Sequence, residues 1–227
     1  MIRTVFLDLD DTLLDFHRSE REAISATLSS LGVTPTEEVI KRYSEINRYV
    51  WQQLELGKMT REQILVRRFE LLFEELLVSA DGAEARRRYE KNLGGSFFYI
   101  DGAEELLTEL SSKYDLYLMS NGTAAVQDRR IAASGIAKYF EGIFISERVG
   151  YNKPALEFFE KCFAEIPDFR KEESIIVGDS LSSDIKGGIN ASIPTCHYNP
   201  SGETSDSVRP DYTIRTLEEL PALLASI

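Results

Sequence analysis

Three aspartates, Asp8, Asp10 and Asp11, follow the apolar run Thr4-Val-Phe-Leu, and a hydroxyl, Thr12, follows them. On a strand, alternate residues share a face, so Asp8 and Asp10 start on the same side. Two carboxylates that close repel unless a cation or a proton intervenes. The pair is therefore a candidate for metal binding and for nucleophilic chemistry. Three later stretches also end in polar groups. Leu116-Tyr-Leu-Met-Ser-Asn-Gly122 offers Ser120 and Asn121, and Gly150-Tyr-Asn-Lys-Pro154 offers Lys153. Ile175-Ile-Val-Gly-Asp-Ser-Leu-Ser-Ser-Asp184 offers Asp179 and then Asp184. Such a set of oxygen ligands, with room for water, suits Mg²⁺.

These groups can act together only if the chain brings them to one edge. Thr4–Leu9 reads as a buried strand. Asp115–Met119, Ile143–Ile145, Ser174–Val177, Thr195–Tyr198 and Tyr212–Ile214 read as further short strands. Helical stretches lie between them, over 124–134, from Pro154 to Glu165, and over 181–190. Asp101-Gly-Ala-Glu104 and Thr216-Leu-Glu-Glu219 predict capped helix starts. Strands separated by helices predict βαβ units and a doubly wound, Rossmann-like parallel sheet, an α/β fold. Its strand ends share one edge, where such proteins place ligand sites.

From Arg18 to about Lys91 the pattern is helical throughout. Thr34-Pro35-Thr36-Glu37 predicts a helix start with Thr34 as N-cap and Pro35 in the first turn. Thr60-Arg-Glu-Gln63 predicts a capping box ahead of Leu65, Phe69, Leu72, Phe73 and Leu76 on one helical face. Crossovers in such sheets are usually short, so this stretch predicts an inserted four-helix bundle. The expected division is a core of residues 1–15 and 95–227 and a helical cap of residues 16–94. Phe16–His17 and Gly94–Phe98 would link them, with Gly94-Gly95 as the hinge. Asn199–Ser207 reads as a surface loop.

The chain has 227 residues, 43% hydrophobic and 28% charged, which fits one soluble domain with a smaller insert. Its net charge of −12 argues against a nucleic-acid polymer or an anionic membrane as partner. A small anionic substrate stays open, because a bound cation and a lysine can invert the local field. No apolar run approaches the ~20 residues of a membrane span. The short apolar start meets aspartates at once, unlike a signal peptide. A cytoplasmic location is expected, with Cys162 and Cys196 buried and reduced.

Asp8-Leu-Asp-Asp-Thr12, Ser120, Lys153 and Gly178-Asp179…Asp184 match, in order, the four motifs of the haloacid dehalogenase-like hydrolase superfamily. The resemblance covers essentially the whole chain, and the helical insert resembles that superfamily's cap. It implies Asp8 as a nucleophile that forms an aspartyl-phosphate, and Asp10 as the general acid/base. It implies Ser120 and Asn121 on the phosphoryl oxygens, with Lys153 balancing charge there. It implies Mg²⁺ as cofactor, held by Asp8, the Asp10 backbone carbonyl and Asp179, with Asp184 ordering a metal-bound water or Lys153. Elementary electrostatics agrees, since an anionic nucleophile approaching an anionic phosphate needs cations nearby.

Dehalogenating members of that superfamily lack the second aspartate, so Asp10 implies a phosphatase. Trp51-Gln-Gln-Leu-Glu-Leu-Gly-Lys58, Arg67-Arg-Phe69, Met119-Ser-Asn-Gly122 and Gly187-Gly-Ile-Asn-Ala-Ser-Ile-Pro-Thr-Cys196 resemble its pyrimidine 5′-nucleotidase subgroup. That implies nucleoside monophosphates as substrates, with Lys58 reaching over the cleft. His197 departs from the subgroup, where tryptophan is expected. Two other functions compete: a phosphatase for small sugar phosphates or phosphoglycolate, and a signalling module that holds its acyl phosphate without turnover. Asp11, His17, His197 and the charged Arg86-Arg-Arg88 face are expected to be structural. Tyr43, Tyr49 and Trp51 are expected in the cap core.

Overall fold

A computed structural model of the chain describes residues 1–202 and 208–227. Residues 203–207 of the expected surface loop lie outside the described residues. Six strands form one parallel sheet: β1 (Thr4–Leu7), β2 (Asp115–Ser120), β3 (Gly142–Ile145), β4 (Ser174–Gly178), β5 (Thr195–Tyr198) and β6 (Tyr212–Ile214). Their order is β3-β2-β1-β4-β5-β6. The order reverses at β1 and β4, which places the switch point of the doubly wound sheet between them. Leu7 is level with Leu118 on one side and Val177 on the other. Asp8, Ser120 and Asp179 therefore emerge close to one another at the same edge.

Four helices separate β1 from the next βα unit: α1 (Phe16–Ser30), α2 (Glu37–Glu55), α3 (Arg61–Leu76) and α4 (Gly82–Gly94). They enclose a core of their own, including Ile24, Tyr43, Phe69, Leu72 and Tyr89. The rings of Tyr43, Phe69 and Tyr89 meet pairwise at 5.4–5.6 Å between centroids. This is the inserted helical cap. The rest of the chain supplies α5 (Ala103–Leu110), α6 (Ala124–Ser134), α7 (Ser146–Val149), α8 (Leu156–Ala164), α9 (Lys186–Ala191) and α10 (Leu220–Ser226). Val5 and Leu7 pack on the side of α5, α6 and α10, while Phe6 packs on the side of α8. That alternation is the two-residue period of a strand buried on both faces.

Several local readings are corrected. Asp15 caps α1 by accepting from Arg18 N–H, so Phe16 and His17 form the first helical turn rather than a linker. Thr36, not Thr34, caps α2, because its hydroxyl accepts from Val39 N–H and Pro35 stays outside the helix. The Thr60 box is present as predicted, with Gln63 reaching back to the Thr60 N–H. Gly102, at φ +81°, starts α5 without a side-chain cap. Leu181–Ile185 is a wider π-type turn that leads into α9. Tyr49 is exposed, whereas Tyr43 is fully buried and Trp51 is half-buried and packed against the cap core, as expected.

Gly94 ends α4, and Gly95 has φ −94°, a conformation open to any residue. A Cβ at Gly94 would stand 3.3 Å from the Arg129 side chain, so the missing side chain lets α4 approach α6. Both cysteines are free and buried, and burial pushes both thiols up to about 12. Arg86, Arg87 and Arg88 pair with Glu62, Glu84 and Glu90 on the helix surface. Among the described residues, no helix is long and apolar enough to cross a membrane.

Candidate active site

Asp8 follows β1 directly and is buried at the sheet edge. Lys153, 1% exposed, donates to Asp8 Oδ1 at 2.6 Å, Asp184 Oδ1 at 2.6 Å and the Met119 carbonyl at 2.8 Å. An ammonium has three N–H bonds, and all three are used. Asp184 reaches this position because the chain has glycine at 178. A Cβ there would stand 2.3 Å from Asp184 Oδ2. That oxygen instead accepts from Ser180 N–H at 3.1 Å.

Asp8, Asp179 and Asp184 each present a carboxylate oxygen within 4.8 Å of the others. Burial raises the Asp8 carboxyl to about 8 against the opposing pull of Lys153, with Asp184 and Asp10 adding to the rise. Asp179 is likewise raised by burial and then by Asp8, Asp184 and Asp11. Burial alone would lower the Lys153 ammonium, but the facing Asp184 and Asp8 carboxylates raise it instead. One ammonium, bonded to two of them, stands against three carboxylates, with Asp8 and Asp184 buried and Asp179 half-buried, so the cluster is short of positive charge. Its ligand atoms are all oxygens, and a hard divalent cation such as Mg²⁺ fits that deficit.

Asp10 lies outside this three-carboxylate cluster. Its Oδ2 accepts from Gln127 Nε2 at 2.6 Å, and its Oδ1 accepts from Arg130, which is fully buried. Gln127 also donates to Ser120 Oγ at 2.8 Å, and Gly122 N–H donates to the same oxygen at 3.1 Å. With two donors already aimed at Ser120 Oγ, its own proton is left for another acceptor. Gln127 and Arg130 were not singled out in the sequence. Their signal was present: at a spacing of three they put polar groups on the buried face of α6, just after the Ser120-Asn-Gly turn.

Asn121 does not present its amide to the cavity as a free donor. Its Nδ2 donates to the Lys153 carbonyl and Ser183 Oγ, while its Oδ1 accepts from Lys153 N–H. The side chain thus holds the Lys153 backbone in place. Thr12 is buried, and its hydroxyl accepts from Asp179 N–H at 3.1 Å. His197 Nε2 lies 2.9 Å from the Asp179 carbonyl, which can only accept, so Nε2 carries the proton. Asp11 sits at φ +59° and accepts from the N–H groups of Phe16 and His17. It anchors the entry into α1, and the exposed His17 stands beside it.

A cavity of about 490 Å³ opens between this edge and the cap. The core lines it with the five aspartates Asp8, Asp10, Asp11, Asp179 and Asp184 and with Lys153, and the cap with Trp51, Glu55, Arg68 and Tyr89 among others. Lys58 is exposed and does not line it. Arg61, three residues later, does cross from cap to core. It donates to the Asn121 carbonyl, Ser146 Oγ and Asn152 Oδ1. Glu55 accepts from Ser182 Oγ at 3.1 Å and forms a second cap-to-core contact.

The model of the haloacid dehalogenase-like hydrolases matches residues 2–192. The chain is 39% identical to the HAD-hydrolase YfnB of Bacillus subtilis, over 98% of this chain and 95% of that protein. A crystal structure of YfnB bound to magnesium superposes with a TM-score of 0.94, covering 98% of each chain. The pyrimidine 5′-nucleotidase PynA of Streptococcus pneumoniae is 37% identical over 95% of this chain and 92% of its own length. The pyrimidine 5′-nucleotidase YjjG of Escherichia coli is 29% identical over 97% and 96%. With these matches added to the sheet order, the helical cap and the carboxylate edge, the chain belongs to the haloacid dehalogenase-like hydrolases.

Proposed function

We propose that the protein is a Mg²⁺-dependent phosphomonoester hydrolase that works through an aspartyl-phosphate on Asp8 and acts on pyrimidine nucleoside monophosphates. The observation that carries this reading is Asp8, bonded to a buried lysine, with a second carboxylate, Asp10, facing the same cavity. The nearly full-length likeness to PynA and YjjG supports the substrate class.

The Asp8 and Asp179 carboxylates and the Asp10 backbone carbonyl would hold Mg²⁺, which supplies positive charge between an anionic nucleophile and an anionic phosphate. Asp8 attacks phosphorus, and the bond to the ester oxygen breaks. Ser120 donates to a phosphoryl oxygen, and Lys153 offsets the charge on Asp8 and the phosphoryl group. Asp10 gives its proton to the leaving oxygen. It then takes a proton from the water that attacks phosphorus and releases Asp8. To do so it must turn away from Arg130 and Gln127. The cap, residues 16–94, closes on the core, residues 1–15 and 95–227, and shields the phosphoenzyme from other water.

A panel of phosphomonoesters with Mg²⁺ tests the reading. UMP, dUMP and dTMP should show higher kcat/KM than sugar phosphates or phosphoglycolate. The opposite ranking would replace the substrate class, and release of no more than one phosphate per enzyme would replace hydrolysis with phosphate storage. Asp10→Asn should lower kcat by about 10²–10⁴-fold. Rapid-quench measurements should show both phosphoenzyme formation and its hydrolysis slowed; unchanged rates would remove Asp10 from the acid/base role.

A further inference from the structure

Glu20 and Arg68 are charged and only 3% exposed, and both line the active-site cavity from the cap side. They do not touch directly. Asn47, itself buried, joins them: its Nδ2 donates to Glu20 Oε1 at 2.7 Å, and its Oδ1 accepts from Arg68 Nη1 at 2.9 Å. The second Glu20 oxygen accepts from Ser44 Oγ at 2.6 Å. Arg68 Nε donates to the Leu65 carbonyl. The guanidinium carbon lies 4.6 Å from the Tyr89 ring centroid and 5.0 Å from that of Phe69.

Burying charges inside a small helical bundle works against stability unless every group is satisfied. Here the acceptors are satisfied and some donors are not. Glu20 and Asn47 are filled by their neighbours. Arg68 Nη2 has no acceptor among the described residues. The Tyr89 hydroxyl is fully buried beside that of Tyr43 and is not presented to the open cavity. The chain Glu20–Asn47–Arg68 is neutral in sum, it fixes the guanidinium plane, and it leaves the N–H groups of Arg68 Nη2 unused in a cavity that also reaches the catalytic aspartates.

We infer that Arg68, held by Asn47 and Glu20 and flanked by Tyr89, is the subsite that recognises the organic part of the substrate, and that it takes a flat, uncharged heterocycle presenting carbonyl oxygens. This rests on the phosphomonoesterase reading above. Unused donors select acceptors, and a neutral subsite does not favour a second anion. The apolar side chain of Leu65 and the ring of Tyr89 suit a flat ring, and the cavity volume is in the range of small-molecule sites.

The test compares UMP with ribose 5-phosphate, which keeps the phosphate and sugar and lacks the base. The kcat/KM ratio of the two is measured for the wild type, for Tyr89→Phe and for the double variant Glu20→Gln, Arg68→Met. The double variant avoids leaving the Glu20 carboxylate without its counter-charge. The ratio should fall at least about tenfold in the double variant, the scale of losing one hydrogen bond to the base. It should be kept in Tyr89→Phe, because that hydroxyl lies against Tyr43 and not in the cavity; an equal fall there would overturn the assignment to Arg68. Equal losses on both substrates in the double variant, with the ratio kept, would mean a merely structural network and overturn the assignment. Wild-type turnover of ribose 5-phosphate with none of UMP would overturn it while leaving the phosphatase reading in place. No turnover of any phosphomonoester would overturn both.

Discussion

Asp8→Asn should abolish turnover, lowering kcat by at least about 10⁴-fold, and should leave the fold intact. Asparagine keeps the shape of the side chain and an oxygen that can accept from Lys153, but it cannot attack phosphorus as a carboxylate. The same substitution should raise the stability of the metal-free protein at alkaline pH. The folded state holds the Asp8 carboxyl at about 8, well above its ordinary 3.8. Between those values the folded state binds more protons than the unfolded chain, so wild-type stability falls as pH rises through the window. Asparagine has no such titration. Melting temperatures of both proteins in EDTA should therefore diverge from pH 4 to pH 8, with the variant higher. A variant that melts lower at pH 8, or that still turns over substrate, would contradict the account of Asp8.

Much of the site was legible because its residues stand at strand ends. A buried strand must be apolar, so a carboxylate placed just after one is conspicuous in sequence. Asp8 after Leu7 and Asp179 after Gly178 are both of this kind. Lys153 could be placed by order along the chain but not by partner. Its three bonds join groups from β2, from the first aspartate motif and from the turn after β4, and only the folded sheet brings these together. The orientation of Asp10 was not legible, because it is set by Gln127 and Arg130 more than 110 positions away. The role of Asn121 failed for a similar reason. An amide after a strand reads as a ligand donor, yet its hydrogen-bonding capacity is spent on Lys153 and Ser183. On the cap, a lone lysine in a loop suggested reach, while the residue that crosses to the core is Arg61 in the first turn of α3.

The same contrast runs through the cap as a whole. Its helices were readable from caps and apolar periodicity, which are local. The polar residues facing the cavity, Glu20, Asn47 and Arg68, each sit on a different helix, and in sequence each looks like an ordinary surface residue. Only packing shows that they are buried and joined. Helix propensity and amphipathic pattern fix an element's existence, whereas the identity of its buried polar neighbours is a property of three elements at once.

Lys153→Met should damage both stability and activity, and the pH dependence separates this from a simple packing defect. Methionine fills a comparable apolar volume but removes the ammonium that faces Asp8 and Asp184 from inside the sheet edge. Breaking a buried pair while leaving its charged partners in place costs about 3–5 kcal/mol. Loss of the charge beside the transferring phosphoryl group should lower kcat by about 10²–10³-fold. With the ammonium gone, the pull that opposes burial at Asp8 disappears, so its carboxyl shifts further up. The variant's folded state then keeps this proton above pH 8, where the wild type releases it. The metal-free variant should therefore lose further stability relative to wild type as pH rises above about 8, and Mg²⁺ should recover it there by supplying the missing positive charge. Denaturant midpoints of both proteins at pH 7 and 9, with and without Mg²⁺, read all of this. A deficit that is the same at both pH values and indifferent to Mg²⁺ would show that Lys153 acts through packing alone.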